Sequence, residues 1–231
     1  MDETGSVSRT ISPNDTMFEA GFRNLDGYLR VGREPVDLLK RFCQSPRRIF
    51  DFGCGHGRVL RHIVVEWPEA EAFACDLDPD AVKFCQREFG VHGIVSTEDP
   101  KDLTIPRFDL IWVGSVFTHL EPYAWRGFLG LLAKSLDGVL GMSLEGPFVA
   151  QRVREGEEMG VGERAASQLA EFDETGFAFR DYVNGRRKGY GFVLCSPERA
   201  RIELEAVGLK LLAYEPQGWM GRQDVVVAVP A

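Results

Sequence analysis

Two hydrophobic rhythms alternate between Arg48 and Leu144. In "RRIFDF", "EAFACDL", "HGIVS", "FDLIWVGS" and "GVLGMSL", apolar residues follow one another almost without interruption. Between them, "GRVLRHIVVEW", "DPDAVKFCQREF" and "YAWRGFLGLLAKSL" repeat apolar residues every third or fourth position. The short runs predict strands buried on both faces and the longer ones amphipathic helices, so the alternation predicts βαβ crossovers and an α/β fold with a parallel sheet. Asp78 with Pro79, and Pro122, mark helix starts. Ahead of the first strand, "EPVDLLKRF" predicts a helix with Pro35 at its start and Val36, Leu39 and Phe42 on one face.

The rhythm breaks after Glu145. Residues 147 to about 192 hold charged, glycine-rich and aromatic pieces that read as an insertion and not as another βα unit. Regularity returns with a helix capped by Ser196 and closed by Gly208. The runs "LKLLAYE" and "QDVVVAVP" then predict an antiparallel pair joined by "PQGWMGR". The polar residues 1–17 read as a mobile tail, and 18–231 as one domain carrying the insertion as a cap.

Glycines at alternate positions, Gly53, Gly55 and Gly57, follow the first strand. Such a loop lets a ligand approach the backbone at a helix N-terminus, where free N–H groups suit a carboxylate or phosphate. Counting from Gly53, the sixth position is Arg58, so the dinucleotide pattern G-x-G-x-x-G is absent, and so is the phosphate-loop G-K-[ST]. Asp51 at the strand's end would repel a pyrophosphate and attract a cation such as the ammonium of an amino acid. Its alternative reading is an acid serving the helix N-terminus. Asp76, about twenty-five residues on, closes the next strand where a carboxylate can accept from both hydroxyls of a ribose, with Leu77 as an apolar surface beside it.

Charge and composition narrow the classes. The formal net charge of −8 opposes nucleic acid and anionic membranes as partners. No stretch approaches the ~20 apolar residues of a membrane span, and nothing marks export, so a cytoplasmic location is expected. The five cysteines show no CxxC spacing and read as reduced, near-core residues without a metal.

"IFDFGCGHGRVLRHI", "AFACDLDPDAVKFCQ" and "FDLIWVGSVFTHLEPYAWRGFLGLLAKSLDGVLGMSL" resemble, over roughly residues 30–145, the class I S-adenosylmethionine-dependent methyltransferases. The resemblance implies a Rossmann-like, doubly wound seven-stranded sheet of order 3-2-1-4-5-7-6 with the last strand antiparallel, and S-adenosyl-L-methionine as cofactor. It implies that Gly53, Gly55 and Gly57 line the methionine portion, that Asp51 meets its amino group and that Asp76 binds ribose. Leu77 would meet adenine, together with Ser96 and Thr97. This chain has "VSTEDPKDL" where many relatives carry an acid at the strand's end, which leaves Asp99 as an alternative. "YLRVGREP" adds Gly32 and Arg33 as cofactor contacts.

The acceptor is narrowed by what is missing. "GSVF" replaces the [DNS]-P-P-[YFW] of nucleic acid amine methyltransferases, no Pro-Cys pair occurs, and only Glu121 stands where arginine methyltransferases pair two glutamates. A small molecule or a sugar remains, with oxygen preferred. His119, after the fourth strand, and Glu145, ending the fifth, are the candidate bases. His119 as a backbone-bonded loop residue and Glu145 as a solvated strand end are the competing readings, and Phe117 is kept as a pocket wall. Trp219 and Met220, if exposed, would touch substrate or another subunit. The insertion's aromatic residues with Arg180, Arg186, Arg187 and Lys188 suit a flat or sugar-like acceptor bearing negative charge, and a homodimer interface is its competing use. A noncatalytic S-adenosylmethionine-binding or interaction protein would keep the same loop.

Overall fold

The computed structural model describes residues 6–22, 24–185 and 187–231. Seven strands form the main sheet: β1 (Arg48–Phe52), β2 (Glu71–Asp76), β3 (His92–Val95), β4 (Phe108–Val113), β5 (Leu136–Leu144), β8 (Leu209–Trp219) and β9 (Gln223–Pro230). Their order is β3-β2-β1-β4-β5-β9-β8, which is 3-2-1-4-5-7-6 when only the sheet's strands are counted. The first five pair in parallel, and β9 runs antiparallel to both neighbours.

Helices cover both faces. On one side α1 (Leu25–Leu39), α2 (Leu60–Glu66) and α3 (Pro79–Phe89) bury Leu39, Leu60, Ile63 and Phe84 against Ile49, Ala74, Leu110 and Val227. On the other, α4 (Pro122–Lys134) and α7 (Pro197–Ala206) bury Trp125, Phe128, Leu132 and Leu204 against Phe50, Ile111 and Leu140. Continuous burial on both faces is why the central strands read as unbroken apolar runs. The cap signals act as expected: the Asp78 side chain accepts from the Asp80 amide and Ser196 from the Arg199 amide; Gly90, not singled out from the sequence, closes α3 in the left-handed region.

Three expectations are corrected. The first helix begins at Leu25, nine residues early, and Pro35 lies inside it. Phe117 is fully buried against Trp125, at 4.9 Å between ring centroids, and forms no pocket wall. Trp219 belongs to β8 and is 1 % exposed, so it offers no surface to a partner.

Between β5 and α7 lie α5 (Pro147–Arg154), α6 (Ala165–Thr175) and the antiparallel hairpin β6 (Phe177–Asp181) and β7 (Gly191–Cys195). This insertion has its own core of Val149, Val153, Phe172, Ala178, Phe192 and Leu194. Backbone bonds lay β7 along the loop after β4: the Val193 amide donates to the Thr118 carbonyl, Gly191 to His119, and Glu121 to Gly189. The polar segment before α1 makes contacts too. Arg61 donates to the Ser8 and Thr10 carbonyls, and the Ser8 hydroxyl to Glu88. No helix of the described residues is long and apolar enough to cross a membrane.

Candidate functional site

A cavity of about 640 Å³ opens at the carboxyl ends of β1, β2 and β4. Parallel strands end together there, and their loops and helix N-termini converge on the crevice where the strand order reverses. Its floor is Gly53, Cys54 and Gly55 with Asp76 and Leu77. Ser96 and Thr97 form one side, and Ser115, Val116 and His119 the other. The cap contributes Arg187, Gly189 and Tyr190, while Asp15, Met17 and Tyr28 close the far end.

The glycine loop is tied to β2. The Gly53 and Cys54 amides donate to the Cys75 carbonyl at 2.7 and 3.0 Å, and the Gly55 amide to Asp76 Oδ2 at 2.8 Å. These three amides are therefore spent inside the chain, which limits what the loop backbone offers a carboxylate. Two of the glycines serve different ends. A Cβ on Gly57 would lie 2.3 Å from the Phe89 ring, so that position is a packing requirement. A Cβ on Gly55 would meet nothing within 4 Å, and its φ of +49° points open space at the cavity.

Asp51 sits at the end of β1, 2 % exposed, and its Oδ2 is buried without a hydrogen-bond partner. Burial first and the neighbouring Asp76 second push its carboxyl up to about 8, against the pull of Arg58. Asp51 does not itself line the cavity, but Phe52 and Gly53, the next two residues, do, and an unpartnered acid oxygen one residue away suits a cationic group. Asp76 is half-buried at the wall, with Oδ2 taken by Gly55 and Oδ1 accepting from the Asp78 amide at 2.9 Å.

His119 is brought into the cavity by the cap. Its Nδ1 lies 3.1 Å from the Gly191 carbonyl and 2.8 Å from the Tyr182 hydroxyl, and Tyr190 overlies its ring at 5.0 Å between centroids. The carbonyl can only accept, so Nδ1 carries the proton in the neutral ring and Nε2 keeps its lone pair. Burial holds the imidazole below its ordinary range, hence neutral near pH 7. Both readings of this histidine are thus present at once, backbone-bonded at one nitrogen and free at the other.

Glu145 does not line the cavity. It is buried behind the wall, accepting from Gln223 Nε2 at 3.0 Å and lying 3.6 Å from Arg222 Nε, and burial raises its carboxyl. It holds those two residues in place and cannot reach an acceptor's proton. Gln223 passes the constraint on, since its Oε1 accepts from the Ser115 hydroxyl at 3.0 Å. Ser115 has φ +59° without being glycine, a strain that clusters at functional sites.

Arg33 is also away from the cavity, its guanidinium held by Asp37 and Glu66 at 2.8 and 2.5 Å. Gly32 is a crossing point: a Cβ there would stand 2.0 Å from the Arg58 carbonyl. Asp99 caps the short turn Pro100–Asp102 and binds the Tyr123 hydroxyl. Arg186 lies outside the described residues. Sequence reasoning missed Asp15, Tyr28 and Arg222, while Tyr182 is among the cap residues expected to meet the acceptor. Asp15 had a signal in "SPND", where its Oδ1 accepts from the Met17 and Phe18 amides, and its Oδ2 receives the Tyr28 hydroxyl at 2.6 Å.

A family model described as "Methyltransferase domain" matches residues 49–137. The chain is 26 % identical over 137 residues to malonyl-[acyl-carrier protein] O-methyltransferase of Acetivibrio thermocellus, covering 56 % of this chain and 48 % of that one. It is 37 % identical over 89 residues to trans-aconitate 2-methyltransferase of Mycobacterium marinum, covering 36 % and 34 %. The chain thus spans about half the length, or less, of these relatives. An amino pentose methyltransferase from Micromonospora echinaspora, solved with S-adenosylmethionine bound, superposes with a TM-score of 0.63 over 96 % of this chain and 100 % of that one at 18 % identity. At that identity the likeness is one of fold.

Proposed function

We propose that this chain, whose residues 49–137 match a family model described as "Methyltransferase domain", is a class I S-adenosylmethionine-dependent methyltransferase that binds S-adenosylmethionine in the 640 Å³ cavity and transfers its methyl group to a small-molecule acceptor held under the cap. The observation that carries this reading is the cavity that Gly55 leaves open and Asp76 and Leu77 border, with the orphaned Asp51 Oδ2 on the strand whose end, Phe52 and Gly53, lines it. A ligand with an ammonium at one end and a ribose at the other answers both demands.

The bound cofactor supplies a methyl group already activated on a sulfonium. What the chain must add is alignment and the exclusion of water. Asp51 would take the ammonium, Asp76 the ribose hydroxyls, and Leu77 with Ser96 and Thr97 the adenine. Cap residues Gly189 and Tyr190 would roof the cavity, and His119 Nε2 would receive a proton where the acceptor must lose one. The matched residues 49–137 end before the cap, so the acceptors named for the relatives do not carry over.

Asp76→Ala is expected to lower affinity for S-adenosylhomocysteine tenfold or more, since hydrogen bonds to a charged group are worth roughly 1.5–3 kcal/mol and ~1.4 kcal/mol is tenfold. Calorimetry on the folded variant checks this, and unchanged affinity refutes the assignment. Binding without methyl transfer to any acceptor would favour a noncatalytic role instead.

A further inference from the structure

We infer that Arg58 receives the carboxylate of the cofactor's amino-acid end, so that Arg58 and Asp51 together clamp the two opposite charges which that end carries. The inference rests on the S-adenosylmethionine reading above, and three observations lead to it.

The first is that the loop amides are spent. S-adenosylmethionine carries a carboxylate beside its ammonium, and a glycine loop ahead of a helix ordinarily offers such an anion its N–H groups. Here the Gly53 and Cys54 amides donate to the Cys75 carbonyl, Gly55 donates to Asp76, and Gly57 to the Cys54 carbonyl at 2.9 Å. With these donors engaged inside the chain, the carboxylate falls to a cationic side chain.

The second is position. Among the described residues, the arginines and lysines that line the cavity are Arg58, Arg187, Lys188 and Arg222. Arg187 and Lys188 come from the cap and Arg222 from the β8–β9 turn, whereas Arg58 directly follows the glycine loop. Burial lowers the pKa of its guanidinium, and Tyr28, Asp15, Asp51 and Glu34 act in the opposite sense, which sets it among the residues closing the far end, away from Leu77, Ser96 and Thr97. Arg58 likewise pulls against the burial of Asp51. The two side chains thus sense each other's charge, as groups must that are to hold the ammonium and the carboxylate of one α-carbon.

The third is preorganisation. The Arg58 guanidinium lies over the Trp219 ring, 4.9 Å from its centroid. Its backbone is pinned by α1, which crosses so closely that a Cβ on Gly32 would stand 2.0 Å from the Arg58 carbonyl. A cation drawn out of water is costly, and a carboxylate whose two oxygens match the guanidinium's paired donors offsets that cost. Gly32 is not part of the cavity lining and serves the cofactor through Arg58.

Calorimetry of the wild-type chain with S-adenosylhomocysteine comes first; absence of binding refutes the parent reading and the inference with it. With binding established, competition measures decarboxylated S-adenosylhomocysteine, the same molecule without its carboxylate. The wild type is expected to prefer the carboxylated ligand about tenfold or more, and Arg58→Gln to bind the two alike. Arg33→Gln, altering an arginine outside the cavity, is expected to keep the wild-type preference. A general loss of packing weakens both ligands and leaves their ratio unmoved. Should the glutamine variant not fold, Arg58→Met keeps an apolar stem on the Trp219 ring and gives the same reading. Equal wild-type affinities for the two ligands, a preference that survives the loss of Arg58, or one erased by Arg33→Gln overturns the inference.

Discussion

Asp51 is the residue whose cost shows what the site is built for. Its carboxyl ionises near 4 in an unfolded chain and is pushed up to about 8 here. The folded state thus keeps a proton that the unfolded state releases. The burden is absent below about pH 4, grows as pH rises from about 4 to about 8, and is then complete. Asp51→Asn should therefore raise the melting temperature more at pH 8 than at pH 4, by thermal melts of the unliganded protein. An arriving ammonium would reverse the balance and drive the proton off. Calorimetry near pH 7 in buffers of different ionisation enthalpy should then register proton release on cofactor binding, and Asp51→Asn should abolish it. The acid and the glycines were legible as a strand-to-helix loop because their spacing is local. That Glu145 stands behind Gln223 and Arg222, and that Glu66 joins Asp37 in holding Arg33, depends on neighbours outside the local pattern.

At the scale of elements, α1 and the β8–β9 turn explain each other. Pro35 has no N–H, so the Val31 carbonyl one turn earlier loses its helical donor. Trp219 Nε1 donates to that carbonyl at 2.9 Å, from a residue 188 positions away. Its ring also meets Trp112 edge-on at 5.4 Å and carries the Arg58 guanidinium at 4.9 Å. The turn is thereby fixed beside the cavity, where Met220 and Arg222 line the wall. Trp219→Phe keeps most of the packing and should cost about 1 kcal/mol, the net worth of one buried hydrogen bond. Trp219→Ala should cost about 3–5 kcal/mol. Denaturant unfolding distinguishes the two, and a Trp219→Phe protein as stable as wild type would show that the N–H contributes nothing. The helix boundary was misread for the same reason: proline reads locally as a helix start, and only a distant indole makes it tolerable inside.

On the scale of the whole molecule, the cap matters because it completes a site it does not floor. The Gly191 carbonyl and Tyr182 engage His119, and Arg187 reaches Glu98 beside the Ser96–Thr97 wall. Replacing Tyr182 and Arg187 together by Ala should raise the acceptor KM several-fold with cofactor affinity and solution mass unchanged. A change in mass alone would assign the segment to subunit assembly.

Periodicity by itself was enough for the α/β class and for strands buried on both faces, and the short link between the last two runs for their antiparallel pairing. The first two follow from which side of a short element must be apolar. Motif spacing was enough to place Asp51, Gly55 and Asp76 at strand ends and in the loop between β1 and α2, because a strand–loop–helix turn is a local object. Tertiary structure alone decided which charges are already paired, which histidine nitrogen is free, and that β7 lies along the loop after β4. Ion pairs such as Arg187–Glu98 and hydrogen bonds such as Trp219–Val31 join residues about ninety to almost two hundred positions apart. No local pattern encodes them; they exist only once the chain's burial has brought those surfaces together.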